Sequence, residues 1–204
     1  MTIELGPKGS RYLIHDPGGG GRVAKILRSG VPYEKDVVED MAALEASGVA
    51  VDVGANIGNH TLWLVAVCGL EVKAFEPIKG DLLARNVDLN GFADRVAIHR
   101  FALGDTPTTA HLIGHNQLKT GAGDFEVRTL DEFDFSNVSI LKIDTEGMEE
   151  QVITGGLETI ERERPTIYAE AWDDDYLARI TALLEPLGYS LARRFKWHQN
   201  KWVP

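Results

Sequence analysis

Val49-Ala50-Val51-Asp52-Val53-Gly54-Ala55-Asn56-Ile57-Gly58-Asn59-His60-Thr61 is the stretch on which the fold turns. Val49–Val53 is short and rich in valine, as a buried parallel strand is. Gly54 and Gly58 interrupt it. A second apolar run, Leu62–Cys68, follows, and Gly69 is placed as a helix stop. Strand, glycine turn and helix in this order build a crevice at the carboxyl edge of an α/β sheet. Glycine lets the backbone approach a ligand with no Cβ between them. The free N–H groups that open the next helix point into the same space.

The pattern alternates on both sides of this stretch. Tyr33–Ser47 reads as a helix, with Val37, Val38, Met41 and Leu44 at spacings of three and four. Glu71–Phe75 reads as a strand ending at Glu76-Pro77, Lys79–Leu89 as a helix stopped by Asn90-Gly91, and Val96–Phe101 as a strand. Val138–Ile143 is a strand, Met148–Glu163 a helix with a break at Gly155-Gly156, Thr166–Ala171 a strand and Asp174–Leu187 a helix. Tyr189–Phe195 and Lys196–Val203 read as a closing antiparallel pair. Such alternation gives a parallel sheet covered on both faces. Residues 114–124, between candidate strands Thr108–Ile113 and Phe125–Thr129, read as a long polar loop of the kind that carries function. Residues 1–30 read as an N-terminal extension, a hairpin or lid, to a main domain of residues 31–204. Its two strands are expected at Arg11–Ile14 and Val23–Leu27, around the turn Pro17–Gly21.

The 204 residues fit one domain with a packed core, since 44% are hydrophobic and 25% charged. A net charge of -10 repels phosphate backbones, so nucleic acid is not an expected partner. The basic run Arg193-Arg194-Phe195-Lys196 reads as a solvated edge strand. Cys68 is the single cysteine, so no intrachain disulfide forms, which suits a reducing compartment. The N-terminus carries no leader pattern, and no window approaches the roughly 20 apolar residues of a membrane span. The expectation is a soluble, cytoplasmic protein that does not engage membranes. The sequence is silent on oligomeric state, with a homodimer left open.

The turn Gly54-Ala55-Asn56-Ile57-Gly58 lacks the third glycine of a dinucleotide fingerprint. Asn56 tolerates a left-handed backbone and adds an amide. The turn therefore suits a smaller polar group, such as an amino acid's ammonium and carboxylate, with Asp52 as a counter-charge for the ammonium. Glu76 lies at the end of the next strand, 22 positions after Gly54. A carboxylate about 20 residues past such a turn accepts both ribose hydroxyls. An amino-acid end together with a ribose end describes S-adenosylmethionine better than NAD. In Leu141-Lys142-Ile143-Asp144-Thr145-Glu146-Gly147 two more acids stand at the same sheet edge, where carboxylates bind a metal, act as a base or cap a helix.

These three blocks, in this order, resemble the FkbM family of S-adenosylmethionine-dependent methyltransferases. Further matching pieces are Arg85–Gly91, Ala102-Leu103-Gly104-Asp105 and Arg128–Phe133, with Tyr33-Glu34 upstream and Leu187-Gly188-Tyr189 downstream. The resemblance implies an α/β, Rossmann-like class I methyltransferase fold. Its seven-stranded sheet would be mainly parallel, covered by helices on both faces, with an antiparallel C-terminal strand. It implies that Asp52, Gly54, Asn56, Gly58, Asn59 and Thr61 surround the methionine part of the cofactor. Glu76 would hold the ribose, and Ala102 and Leu103 would lie near the adenine. The family acts mostly on hydroxyls of sugars and natural products, so a small-molecule or glycan acceptor is expected.

Methyl transfer to an alcohol needs the acceptor oxygen placed in line, at roughly 3 Å, and a group that takes its proton. Asp144 is the first candidate, as base or as ligand of a Mg²⁺ that acidifies the hydroxyl. Glu146 is a second carboxylate for the same site, Glu170 completes a cluster, and His115 on the polar loop is a reserve base. His60 reads as a turn residue beside the cofactor. Three other readings stay open: an amine acceptor, an NAD or nucleotide-sugar oxidoreductase on the same fold, and a module that binds cofactor without catalysis.

Overall fold

The computed structural model describes residues 1–114 and 117–204. The chain begins with an antiparallel pair, β1 (Thr2–Leu5) and β2 (Tyr12–His15), followed by α1 (Arg22–Arg28) and α2 (Lys35–Ala43). Then come β3 (Val49–Val53), α3 (Asn59–Ala66), β4 (Glu71–Phe75), α4 (Gly80–Leu89) and β5 (Val96–His99). Four short strands follow: β6 (Ala102–Leu103), β7 (Thr108–Ile113), β8 (Gln117–Thr120) and β9 (Phe125–Arg128). The last part holds β10 (Val138–Ile143), α5 (Glu149–Thr154), α6 (Leu157–Glu163), β11 (Thr166–Glu170), α7 (Asp174–Leu184), β12 (Ser190–Arg194) and β13 (Gln199–Val203).

The central sheet has seven strands in the order β12-β13-β11-β10-β3-β4-β5. The five strands from β11 to β5 pair in parallel, and β13 runs antiparallel to both β11 and β12. The sheet is therefore mixed. The chain starts in its middle at β3, builds outward to β5, and returns to the other side of β3 with β10. A crevice opens where the winding reverses, at the carboxyl ends of β3 and β10.

Side-chain alternation sorts the two faces. Ala50, Val72, Ala74, Ile140 and Tyr168 face one core with Val37, Leu64 and Val87 of α2, α3 and α4. Val51, Val53, Leu141, Ile143 and Ile167 face the other with Val152, Ile160 and Ile180 of α5, α6 and α7. Helices thus cover both faces, as parallel strands require.

Three expectations are corrected. Val23–Leu27 is not the return strand of a hairpin but part of α1. Ala24 and Leu27, three apart, are its buried residues, which is helical spacing. The true partner of β2 is β1, whose burial alternates strictly. The strands expected at Thr108–Ile113 and Phe125–Thr129 are β7 and β9, but Gln117–Thr120, inside the stretch read as a long polar loop, forms a further strand. β8 pairs with β7 in a four-stranded sheet of order β6-β9-β7-β8, fastened by Leu118 in a small core with Ala110, Val127 and Met148. One apolar residue in four gives no readable period, and the strand forms because its partner is adjacent. The strand expected over Val96–Phe101 ends at His99, and Ala102-Leu103 joins the second sheet.

Candidate active site

The end of β3 and the end of β10 meet backbone to backbone. A Cβ at Gly54 would stand 1.8 Å from the carbonyl oxygen of Asp144, and Gly54 has φ +81°. Only glycine fits there, so the glycine turn and the acidic segment form one wall. Asn56 (φ 53°) and Glu146 (φ 60°) sit in left-handed backbone on either side of it. The cavity over this wall has a volume of about 430 Å³.

Of the residues expected around a cofactor, Gly54, Asn56, Asn59, Glu76, Ala102 and Leu103 line this cavity. Asp52, Gly58 and Thr61 stand behind its wall. Asp52 is fully buried, its Oδ2 accepting the Thr61 hydroxyl at 2.6 Å. Period-2 alternation turns Asp52 away from the crevice, toward α3, on the face that Lys142 shares in register. Glu76 accepts the backbone N–H of Asn56 at 2.7 Å on one oxygen and those of Ile78 and Lys79, both at 2.7 Å, on the other. Three backbone donors hold its carboxylate rigidly at the end of β4. Asn59 is clamped too: its amide accepts from Tyr33 N–H and donates to Tyr33 C=O, each at 3.0 Å.

Asp144, Glu146 and Glu170 all reach the same cavity. His115 lies outside the described residues. Lys142 is fully buried, and its Nζ donates to Asp144 Oδ2 at 2.7 Å. Burial alone would raise the Asp144 pKa, but the Lys142 ammonium outweighs it and holds the carboxyl below the usual range. Glu146 is pushed upward, by burial first and by the charge of Asp144 second. Glu170 is pushed up to about 8 by the same two causes in the same order. Its Oε2 is buried with no hydrogen-bond partner. Three carboxyls at one edge thus differ in basicity: Asp144 is a fixed anion and Glu170 a group poised to exchange a proton.

Among the described residues, no group of three or more His, Cys, Asp or Glu is arranged to hold a metal. The Lys142 ammonium already neutralises Asp144, bonding its Oδ2 at 2.7 Å. This donor set does not fit Mg²⁺.

Two residues were absent from the sequence-based set: Glu34, which lines the cavity, and Lys142, buried beneath it. Glu34 lies in left-handed backbone (φ 53°) and is 5% exposed, with its Oε2 3.1 Å from His60 Nε2. Neither of these two atoms makes an aligned hydrogen bond. Lys142 was visible as a cation in the apolar run Leu141-Lys142-Ile143, where a lysine needs a buried partner. Glu34 is marked only as part of the Tyr33-Glu34 piece of the resemblance, with no role attached to it.

The strand order, the single antiparallel strand and a crevice at the reversal point define a class of α/β fold. It is the fold of class I S-adenosylmethionine-dependent methyltransferases. A Methanococcus maripaludis protein assigned to these enzymes aligns with a TM-score of 0.53 at 11% identity, covering 82% of this chain and 81% of that one. The precorrin-8w decarboxylase of Methanobacterium thermoautotrophicum aligns over 95% of this chain and 96% of its own, with a TM-score of 0.55 and 13% identity. The methyltransferase FkbM of Methylobacillus flagellatus aligns with a TM-score of 0.61 at 22% identity over 78% of this chain. This chain spans 44% of that protein's length. No curated protein matches the sequence. The Methyltransferase FkbM domain matches residues 52–191, and the chain belongs to this methyltransferase family. No helix among the described residues is long and apolar enough to cross a membrane.

Proposed function

We propose that this protein transfers the methyl group of S-adenosylmethionine to a hydroxyl oxygen of a sugar, glycan or natural-product small molecule. The cofactor supplies an electrophilic methyl on a sulfonium. The cavity fits such a group: a polar turn closed by Gly54, a rigid carboxylate at Glu76, and the apolar Phe101-Ala102-Leu103 beside it. Glu76 would accept a ribose hydroxyl on the one lone pair left, on the oxygen that also accepts from Asn56 N–H. Residues 17–24 would close over the site as a lid, since Gly18, Arg22 and Ala24 line the cavity.

The observation that carries the hydroxyl reading is Glu170, whose Oε2 has no hydrogen-bond partner among the described residues. As a carboxylate it would accept the acceptor's proton as the oxygen attacks, and Asp144, anchored by Lys142, would orient the hydroxyl. The exposed ring of Trp172, packed on Gly147 beside this edge, offers a face on which a sugar ring would stack. The test is formation of S-adenosylhomocysteine from S-adenosylmethionine with a panel of sugars, glycosides and amines. Turnover with hydroxyl acceptors is expected. Asp144→Ala should abolish it while leaving cofactor affinity within a few fold. Turnover confined to amines, binding of NAD in place of S-adenosylmethionine, or wild-type rates in the variant would each overturn the reading.

A further inference from the structure

Glu34 stands 18 positions before Asp52 and outside every block that defined the cofactor turn. The fold nevertheless brings it to the cavity. Its side chain is only 2% exposed, and its Oε2 receives no hydrogen bond. A buried carboxylate oxygen with no donor is costly, and such atoms persist where a ligand supplies the donor.

The charges around it are unbalanced. The Lys142 ammonium faces three carboxylates, Asp144, Glu34 and Asp52, and gives its one hydrogen bond among them to Asp144. Asp52 accepts the Thr61 hydroxyl on Oδ2; its Oδ1 is also unbonded, but Asp52 does not line the cavity and Glu34 does. Glu34 has only the His60 imidazole, at 3.1 Å and out of line. The pocket therefore has room for one more cation that brings N–H donors. An ammonium meets both conditions, whereas a sulfonium brings charge and no donor. Glu34 is also tied to the cofactor turn, because Asn59 grips the backbone of its neighbour Tyr33 from both sides.

We propose that Glu34, and not Asp52, receives the ammonium of the cofactor's amino-acid end. The assignment rests on the reading of the cavity as an S-adenosylmethionine site. Asp52 then serves as a buried strut that fixes Thr61 and balances Lys142.

The test uses calorimetry with S-adenosylhomocysteine and with its deaminated analogue, which lacks only the ammonium. The wild type should prefer the amine-bearing compound by about ten-fold or more, the worth of one charge-assisted hydrogen bond. Glu34→Gln should lose that preference while binding the deaminated analogue within about two-fold of wild type. Retained binding of the analogue also shows that the variant is folded. If Glu34→Gln loses both ligands through misfolding, Glu34→Asp, which keeps the charge and shortens the reach, should show a reduced preference. A variant that keeps the wild-type preference overturns the assignment alone. A wild type that binds neither compound removes the cofactor reading, and this inference with it.

Discussion

Glu170 ends β11 with one carboxylate oxygen unbonded and a pKa of about 8 in the folded chain, against an ordinary 4.5. Between those two values the unfolded chain has released this proton and the folded chain keeps it. The native state then binds more protons, so this group's share of stability falls as pH rises from 4.5 to about 8 and levels above that. Glu170→Gln should remove the fall. Melting curves should coincide with wild type near pH 4 and lie above it at pH 8, and identical pH profiles would refute the buried, proton-holding carboxyl. If Glu170 is the proton acceptor, the transfer rate should also climb to a plateau above about pH 8. Gly54 sets a second constraint at the same scale. Gly54→Ala would press a Cβ into the Asp144 carbonyl and force alanine into φ +81°. We expect a loss of ~2 kcal/mol or more in urea denaturation. A neutral result would mean that the two loops separate freely.

At the scale of elements, asparagines do the joining. β2 is an edge strand, and α4 satisfies its free side: Asn90 accepts from Leu13 N–H and donates to Leu13 C=O, both at 2.7 Å, while Asn86 accepts from His15 N–H at 2.8 Å. Asn86 donates in turn to the carbonyl of Ile57 in the glycine turn at 2.7 Å. The N-terminal hairpin is thus tied to the glycine turn at the cavity through one helix. Asn90→Ala should cost about 1–2 kcal/mol and speed amide exchange at Leu13, with unchanged exchange counting against the tie. The glycine turn was legible in advance because φ and spacing are local properties. These ties were not, because an asparagine on a helix reads as surface until its neighbour strand is placed.

Across the whole molecule one carboxylate pins α2 to the far side of the sheet. Asp40 accepts from the Tyr168 hydroxyl and the Lys201 ammonium at 2.7 Å each, and from Arg193 at 2.8 Å. These partners belong to β11, β13 and β12, so the contact reports on closure of the antiparallel edge. Asp40→Ala should cost about 3 kcal/mol in chemical denaturation, because it strands a largely buried lysine and tyrosine. Arg193→Ala, at an exposed partner, should cost well under 1 kcal/mol. Equal losses would show that the exposed partner, and not burial, carries the pin.

Sequence alone determined the alternation of strands and helices that builds the central sheet from residue 49 onward, the turn at Gly54–Gly58, the edge position of Glu76 and Asp144, and the FkbM resemblance. Each follows from short-range properties: a period of 2 or 3.6, a glycine where φ must be positive, an acid where an apolar run stops. Tertiary structure decided which charges meet. Lys142 stands beside Asp52 because β10 pairs with β3 in that register, and the alternation then turns Asp52 behind the wall. Glu34 reaches the cavity because α2 packs on α3. Such meetings depend on strand order and packing between residues far apart in the chain, which no local pattern encodes. The opening stretch therefore specifies a strand, a glycine turn and a helix, and the fold decides which carboxylates face the cavity above them.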